Sequence, residues 1–301
     1  MNDKVLKQIL QRKIAGNKDD GHKIGLIFEG GGMRGVFSSG VACGLEELGL
    51  RDCFDIIYGS SSGSCAATYL LSGKIGTGNA IYYEDLNNFK FIKPWRINEL
   101  MDIDYLNSIF RSEKRVFDQN KVKANKTLLK IYVSDARTGK YKYFTNRDNV
   151  DLVTAMTASC AAPGYYGKTV EINNHEYLDG NVEEKLPIDQ AIKDGCTDIL
   201  VVPTVPENYR EKESTHCNLV NMYLMRHLDR GFIASYKERA RRYNDNLDIA
   251  FGRKQIDNDV NVFTISPKYR IGLAQTRARK VEFFSEHGKG LVKEAFGKVL
   301  S

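Results

Sequence analysis

Twice between residues 24 and 73 the chain passes from a short apolar run, through a bend of glycine and serine, into an apolar helical pattern. The first pass is "IGLIF" at Ile24 to Phe28, the bend "EGGGMRG", and "VFSSGVACGLEEL" at Val36 to Leu48. The second is "FDIIYG" at Phe54 to Gly59, a serine-rich turn, and "SGSCAATYLLSG" from Ser62. Short apolar runs bounded by turn residues read as buried strands, and the longer apolar patterns after them as helices. Strand, tight turn, helix, repeated, predicts an α/β fold with a largely parallel central sheet flanked by helices.

Later segments fit the same architecture. "LLKIYVS" at Leu128 to Ser134 is strand-like, with "YKYFT" at Tyr141 to Thr145 as its hairpin partner. "VDLVTAMTASCAA" reads as a helix that stops at Pro163, and "TDILVVPT", around Ile199 to Val202, as another buried strand. A long helical region runs from Asn218 and breaks near Gly231; "VNVFTISP" is a late strand, and the chain closes on a mostly helical stretch. Residues 81–126 have weak periodicity and hold the single tryptophan, Trp95, as expected of an irregular insertion covering the core.

The two bends carry different chemistry. Gly30, Gly32 and Gly35 fit the G-x-G-x-x-G spacing of a dinucleotide loop, yet the acidic residue expected near the end of the next strand is missing; Asp55 stands at its start. A Walker-type phosphate loop needs a lysine followed by Ser or Thr, where this chain has Met33, Arg34 and Gly35. The second bend is more informative. Gly59-Ser60-Ser61-Ser62-Gly63 is a G-x-S-x-G sequence set directly between strand and helix. Small flanking residues permit the sharp turn that pushes Ser61 out at the tip, beside a helix N-terminus that favours developing negative charge. A nucleophile elbow is one reading and a serine-rich helix cap the other. An acyl-transfer serine also needs donors aimed at its oxyanion. The bare amides of Gly31 and Gly32, with Met33 or Arg34 as further candidates, supply them, and Arg34 either braces the loop through carbonyls or faces an anionic substrate.

The base is harder to find. None of His22, His175, His216, His227 and His287 stands in a context that marks a general base; "INNHEYLDG" makes His175 a turn residue. Asp179, in "EYLDG", sits at a strand end beside Gly180, where a carboxylate could meet a serine on another strand end; an ordinary turn aspartate is the competing reading.

Composition narrows the rest. The chain has 301 residues, 42% of them hydrophobic, and a formal charge of +6. No stretch is apolar enough to span a bilayer, and the charged N-terminus lacks a signal-peptide core, so a cytoplasmic protein, at most peripheral to a membrane, is expected. Cys43, Cys53, Cys65, Cys160, Cys196 and Cys217 show no metal-like spacing and read as ordinary thiols. The basic excess, including "KERARR" at Lys237 to Arg242, is a solvated face or an attraction to anionic headgroups; no nucleic-acid motif accompanies it.

Taken together the motifs resemble those of the patatin-like phospholipases, α/β acyl hydrolases with a Ser–Asp dyad. The family pattern is a G-G-G-x-[RK]-G oxyanion loop, a G-x-S-x-G elbow and a downstream D-G-[GA]. Here these are Gly30-Gly31-Gly32-Met33-Arg34-Gly35, Gly59-Ser60-Ser61-Ser62-Gly63 and Asp179-Gly180-Asn181. Asn181 departs from the usual small residue, and Leu186-Pro187 from the family's Asn-Pro. The resemblance implies a three-layer patatin-like fold, Ser61 as nucleophile, Asp179 as base and the Gly31 and Gly32 amides in the oxyanion hole. It implies a core over residues 22–210, with a helical extension at 1–21 and a mostly helical region with a late strand at 211–301, packed on the core. The expected activity is hydrolysis of a phospholipid, lysophospholipid or acylglycerol ester through an acyl-enzyme, without metal or organic cofactor. The expected partners are that fatty-acyl ester and an anionic membrane surface, with no nucleic acid; the oligomeric state is open. A non-hydrolytic lipid-binding scaffold and an acyltransferase using the same dyad are the alternatives.

Overall fold

The computed structural model describes residues 3–96, 99–212, 228–256 and 259–300. The first apolar run forms β1 (Ile24–Phe28), the second β2 (Ile56–Ser60), and they pair in parallel. The helices after them are α2 (Val36–Glu47), entered through a 3-10 turn at Gly32–Gly35, and α3 (Ser62–Ser72); α1 (Lys4–Ala15) precedes β1. Six further strands complete the sheet: β3 (Leu128–Asp135), β4 (Tyr141–Thr145), β5 (Val170–Ile172), β6 (His175–Asp179), β7 (Asp198–Val202) and β8 (Asn261–Thr264). The order is β5-β6-β3-β2-β1-β7-β8, with β4 also on β3, and the run from β3 to β8 is parallel.

Alternation along the central strands builds two cores, one on each face of the sheet. Leu26 and Phe28 of β1, Ile57 of β2 and Leu200 and Val202 of β7 join α2, α3 and the C-terminal helix Ala278–Leu300. Ile27, Ile56, Tyr58, Ile199 and Val201 point the other way, onto Tyr243 and Leu247 of the helix Arg230–Ala250. Because both faces are covered, the strands read as unbroken apolar runs rather than alternating ones. Val5, Leu6 and Ile9 of α1, and Val281, Phe284 and Val292 near the C-terminus, feed the first core. No helix among the described residues is long and apolar enough to cross a membrane.

Two details differ from expectation. His175 opens β6, paired with Ile172, and the turn before it is made by Asn173 and Asn174, both with positive φ (52° and 61°). Gly231 lies in the first turn of the helix Arg230–Ala250 and breaks nothing there; most of the helix expected upstream of it lies outside the described residues, with His216, Cys217 and His227.

The topology at β3 positions everything that follows. β4 pairs with residues 130–134 of β3, overlapping the stretches used by β2 (128–132) and by β6 (133–135). A strand residue has one neighbour on each edge, so β4 takes one edge of β3 while β2 and β6 share the other. Ser60 at the end of β2 is registered with Tyr132, and Asp179 at the end of β6 with Val133. The two strands therefore run toward each other and stop one register position apart.

Candidate active site

Ser61 follows the last residue of β2 and caps α3 with φ 53° and ψ −133°. A non-glycine residue in such a conformation costs about 1–3 kcal/mol and persists only where its surroundings hold it. Here the Ser61 amide donates to Ser159 Oγ (2.8 Å), and the Ser61 carbonyl accepts from the Ser64 amide (2.8 Å) and hydroxyl (2.7 Å). Buried hydrogen bonds contribute about 0.5–1.5 kcal/mol each, enough together to offset that strain. Ser159 in turn donates to Tyr132 O at 2.6 Å, tying the elbow back to β3.

The turn is also crowded. A Cβ on Gly63 would lie 2.2 Å from Phe28 O, and one on Gly30 2.4 Å from both Ser60 O and Ser61 Cβ. The glycines thus let the two bends pack backbone against backbone, which brings the first loop over Ser61.

Asp179 meets Ser61 from the opposite strand end. Ser61 Oγ donates to Asp179 Oδ2 at 2.7 Å, and the Asn181 amide donates to Oδ1 at 2.8 Å. The backbone is fixed on both sides, by the Asp179 amide to Ala161 O (3.1 Å) and by Ser134 Oγ to Asp179 O (2.9 Å). Burial pushes the carboxyl up to about 7, against the Asn181 amide, the Ser61 hydroxyl and the charge of Lys185, which favour the anion. A carboxylate so desolvated is a stronger base than one in water.

In the glycine loop the structure redistributes the candidate donors. The Met33 amide donates to Leu273 O (2.9 Å) and the Arg34 amide to Gly31 O (3.1 Å), so both are engaged in holding the loop. The Gly31 amide meets Ser62 Oγ at 3.0 Å. Beneath the loop, buried Glu29 accepts from the Thr204 amide (2.6 Å) and the Tyr243 hydroxyl (2.6 Å), and Thr204 Oγ1 donates to Gly30 O (3.1 Å). Burial raises the Glu29 carboxyl above its ordinary range. Arg34 is buried against Gly31, yet among the described residues its Nε has no hydrogen-bond partner, and neither has Asn181 Oδ1.

Ser61, Asp179 and the glycine loop form the floor of a cavity of about 890 Å³. One wall is apolar: Leu86, Phe91, Met101, Ile103, Leu106 and Phe110, with Cys65 and Cys160 next to Ser61. All six apolar residues come from the insertion at 81–126, which therefore builds the cavity rather than merely covering the core. The lining also carries a basic set, Lys185, Arg210, Lys212, Arg239 and Arg270, of which Lys185 and Arg239 pair with Glu211. Burial works against the Glu211 charge, but Lys185 and then Arg239 hold its carboxyl below the ordinary range. Of these residues the sequence marks Arg239, within the basic run Lys237 to Arg242, while nothing in its pattern marks Lys185, Arg210 or Ser134; Glu29, placed directly before the glycines, is a further visible signal.

The described histidines lie elsewhere. His22 bonds Asp198 at 2.7 Å and His287 stacks on Tyr269; neither these nor His175 lines the cavity. The five described cysteines are buried and free, Cys65 and Cys160 with sulfurs 3.8 Å apart. Glu99, Asp102 and Asp104 come close enough to share a cation, but they pair with Arg96, Lys93 and Lys168 respectively.

Comparison with known proteins bears on this arrangement. The family model described as Patatin-like phospholipase matches residues 26–192, the span from β1 to just beyond Asp179. The uncharacterised protein YjjU of Escherichia coli (strain K12) is 28% identical over 202 residues, 61% of this chain and 52% of that protein. The uncharacterised protein YqhO of Bacillus subtilis (strain 168) is 23% identical over 225 residues, 65% of this chain and 75% of that one. The match thus spans about half the length of the E. coli relative. The crystal structure of VipD from Legionella pneumophila superposes with a TM-score of 0.53 at 12% identity, covering 92% of this chain and 67% of that one, a likeness of fold.

Proposed function

The chain belongs to the patatin-like phospholipase family, a family of lipid acyl hydrolases, and from that premise we propose that it cleaves phosphate-bearing glycerolipid esters through a Ser61–Asp179 dyad and a covalent acyl-enzyme. The observation that carries the reading is the 2.7 Å hydrogen bond from Ser61 Oγ to Asp179 Oδ2. It lies on the floor of a cavity whose lining holds both an apolar wall and a set of basic side chains.

As Ser61 Oγ attacks the ester carbonyl, its proton passes along that hydrogen bond to Asp179 Oδ2. The carbonyl oxygen becomes an oxyanion that accepts from the Gly32 amide and from the Gly31 amide, for which it competes with Ser62 Oγ. Collapse breaks the ester C–O bond, and the leaving alcohol takes the proton from Asp179. Water then attacks the acyl-enzyme, gives its proton to Asp179, and the fatty acid leaves as Ser61 regains it. The acyl chain lies along the wall of Leu86, Phe91, Met101 and Leu106, where apolar contact rewards length. The headgroup lies among the basic lining residues Lys185, Arg210, Lys212 and Arg270, whose cations suit a phosphate.

The test is reaction with a fluorophosphonate ester followed by location of the adduct. Labelling at Ser61, lost in Ser61→Ala and Asp179→Asn, supports the reading. An adduct elsewhere, or none on folded protein, overturns it. The intact dyad argues against a purely lipid-binding scaffold.

A further inference from the structure

The wall of the cavity has an outer side. Among the described residues, Phe89 and Trp95 are both 65% exposed, and their rings pack against each other at 5.7 Å between centroids. Single exposed apolar residues need no explanation, but two large rings joined in water on one loop do. Nor is the loop a frayed end. Asn88 Oδ1 accepts from the Lys90 amide at 2.8 Å, the Lys93 amide donates to Leu100 O at 2.8 Å, and Ile92 bridges to Met101. Lys93 and Asp102 close its base as an ion pair. Two residues beyond exposed Phe89, Phe91 is buried and lines the cavity, as does Met101 across the bridge. The same short segment therefore presents rings to the outside and apolar side chains to the substrate.

A second exposed ring pair lies on the segment that meets this one. Tyr269 and Phe283 stack with centroids 6.1 Å apart and planes at 14°, next to exposed Arg270. The two segments come together over the oxyanion loop, where a Cβ on Gly32 would lie 2.9 Å from Leu273 O and 3.0 Å from Met101 Cε. Exposed cations accompany both pairs: Lys90 beside Phe89, and Lys268 and Arg270 flanking Tyr269. Arg210, Lys212 and Arg270 also line the cavity, in a chain of formal charge +6.

We propose that the Phe89–Trp95 loop is a docking tip that enters the headgroup region of an anionic phospholipid bilayer and seats the cavity on it. Trp and Phe favour that region because an amphipathic ring loses water there without losing polar partners. Neighbouring Lys and Arg add attraction to anionic headgroups, within about a Debye length of the surface. A protein partner would need a contact of about 800 Å² per side with matching shape, far more than two rings flanked by charges offer. A bilayer has no such requirement. The proposal takes its purpose from the lipid-ester reading above, but its test reads binding rather than turnover.

The single tryptophan makes the test direct, since emission excited on the long-wavelength side, where tyrosine does not absorb, reports the tip alone. Ser61→Ala protein is titrated with vesicles of phosphatidylglycerol mixed with phosphatidylcholine, and with phosphatidylcholine vesicles. Trp95 emission should shift to the blue and be quenched by brominated acyl chains. Partition should be tighter onto the anionic vesicles and weaken with added salt. Phe89→Ser, which keeps the reporter, should weaken partition by about tenfold while leaving hydrolysis of a water-soluble short-chain ester by the Ser61 protein unchanged. Emission unmoved by saturating lipid, or equal partition of Phe89→Ser, overturns the proposal. So does a lipid-free blue shift that grows with protein concentration alongside a doubled mass, which assigns the rings to a second copy. If Ser61 resists labelling while Trp95 still enters lipid, the hydrolase reading falls and the docking tip stands. If Ser61 is labelled and Trp95 never responds to lipid, the docking tip falls and the hydrolase reading stands.

Discussion

The floor and the apolar wall of the cavity are built in opposite ways. The floor comes from two bends and one strand end whose residues recur in short motifs: Gly30 to Gly35, Gly59 to Gly63, and Asp179-Gly180. Each of its groups is fixed by several hydrogen bonds, and a backbone atom occupies the space where a Cβ would go at Gly30, Gly32, Gly59, Gly63 and Gly180, with side chains filling it at Gly31 and Gly35. The wall comes from residues 81–126, which carry no motif; Ile103, Leu106 and Phe110 share one face of the helix Ile103–Phe110, and the apolar side chains of the wall meet through packing. Chemistry tolerates little displacement, because proton transfer needs its partners within hydrogen-bond reach. An apolar wall has only to exclude water and match a volume, so many sequences can serve.

The strongest way to break this contrast is at the dyad. Ser61→Ala and Asp179→Asn should each lower kcat for ester hydrolysis by about a thousandfold or more, and the double variant should lose little beyond either single one. Additive losses in steady-state assays would mean that the two do not act as a unit.

Next in size is the response to pH. In the proposed mechanism Asp179 must be ionised to accept the Ser61 proton, and burial holds its carboxyl up to about 7. Activity should therefore fall about tenfold per unit below pH 7 in a kcat/KM profile. Stability carries the opposite sign. A raised carboxyl contributes stability that is fully present below its unfolded value, near 3.9, and lost as pH rises through about 7. Asp179→Asn, which has no charge to bury, should melt no lower than the unsubstituted protein at pH 8, with its relative advantage shrinking by pH 5. A lower melting temperature at pH 8 would remove the desolvated base from the account of the floor.

The wall should respond in specificity rather than in rate. Leu106→Phe adds volume to a side chain that is 5% exposed and lines the cavity. It should lower kcat/KM for long-chain esters by about tenfold relative to acetate esters, which do not reach it. An equal loss on both would make the insertion part of the catalytic machinery.

The smallest effect concerns the support beneath the floor. Ser159 touches no substrate in the proposed pose but holds the Ser61 amide and Tyr132 O. Ser159→Ala should reduce kcat about three- to tenfold with KM unchanged, about the worth of one buried hydrogen bond. A rise in KM instead would place Ser159 in substrate binding.

How legible the molecule is depends on the range of its interactions. β1, β2, β3, β4 and β7 can be read from apolar runs, and the elbow from Gly59 to Gly63, because strand burial and tight turns are decided by neighbours in sequence. The glycine loop is recognisable as a loop, but which amides it keeps is not: Leu273 takes the Met33 amide, and nothing near Met33 announces so distant a carbonyl. Glu29 looks like a loop flank until Thr204 and Tyr243 close on it.

Periodicity and backbone sterics, which act over a few residues, are enough to settle the layered α/β fold, the serine at a strand-to-helix turn, and an aspartate at a strand end. They do not settle that β2 and β6 share one edge of β3 and stop head to head, so that Ser61 and Asp179 meet at 2.7 Å; assembly of the sheet does that. Assembly likewise turns an apolar face of residues 81–126 to the cavity and two aromatic rings outward. The physical reason is the same for both. Strand register and side-chain burial are set by contacts between segments distant in the chain, and these exist only once the whole sheet is in place.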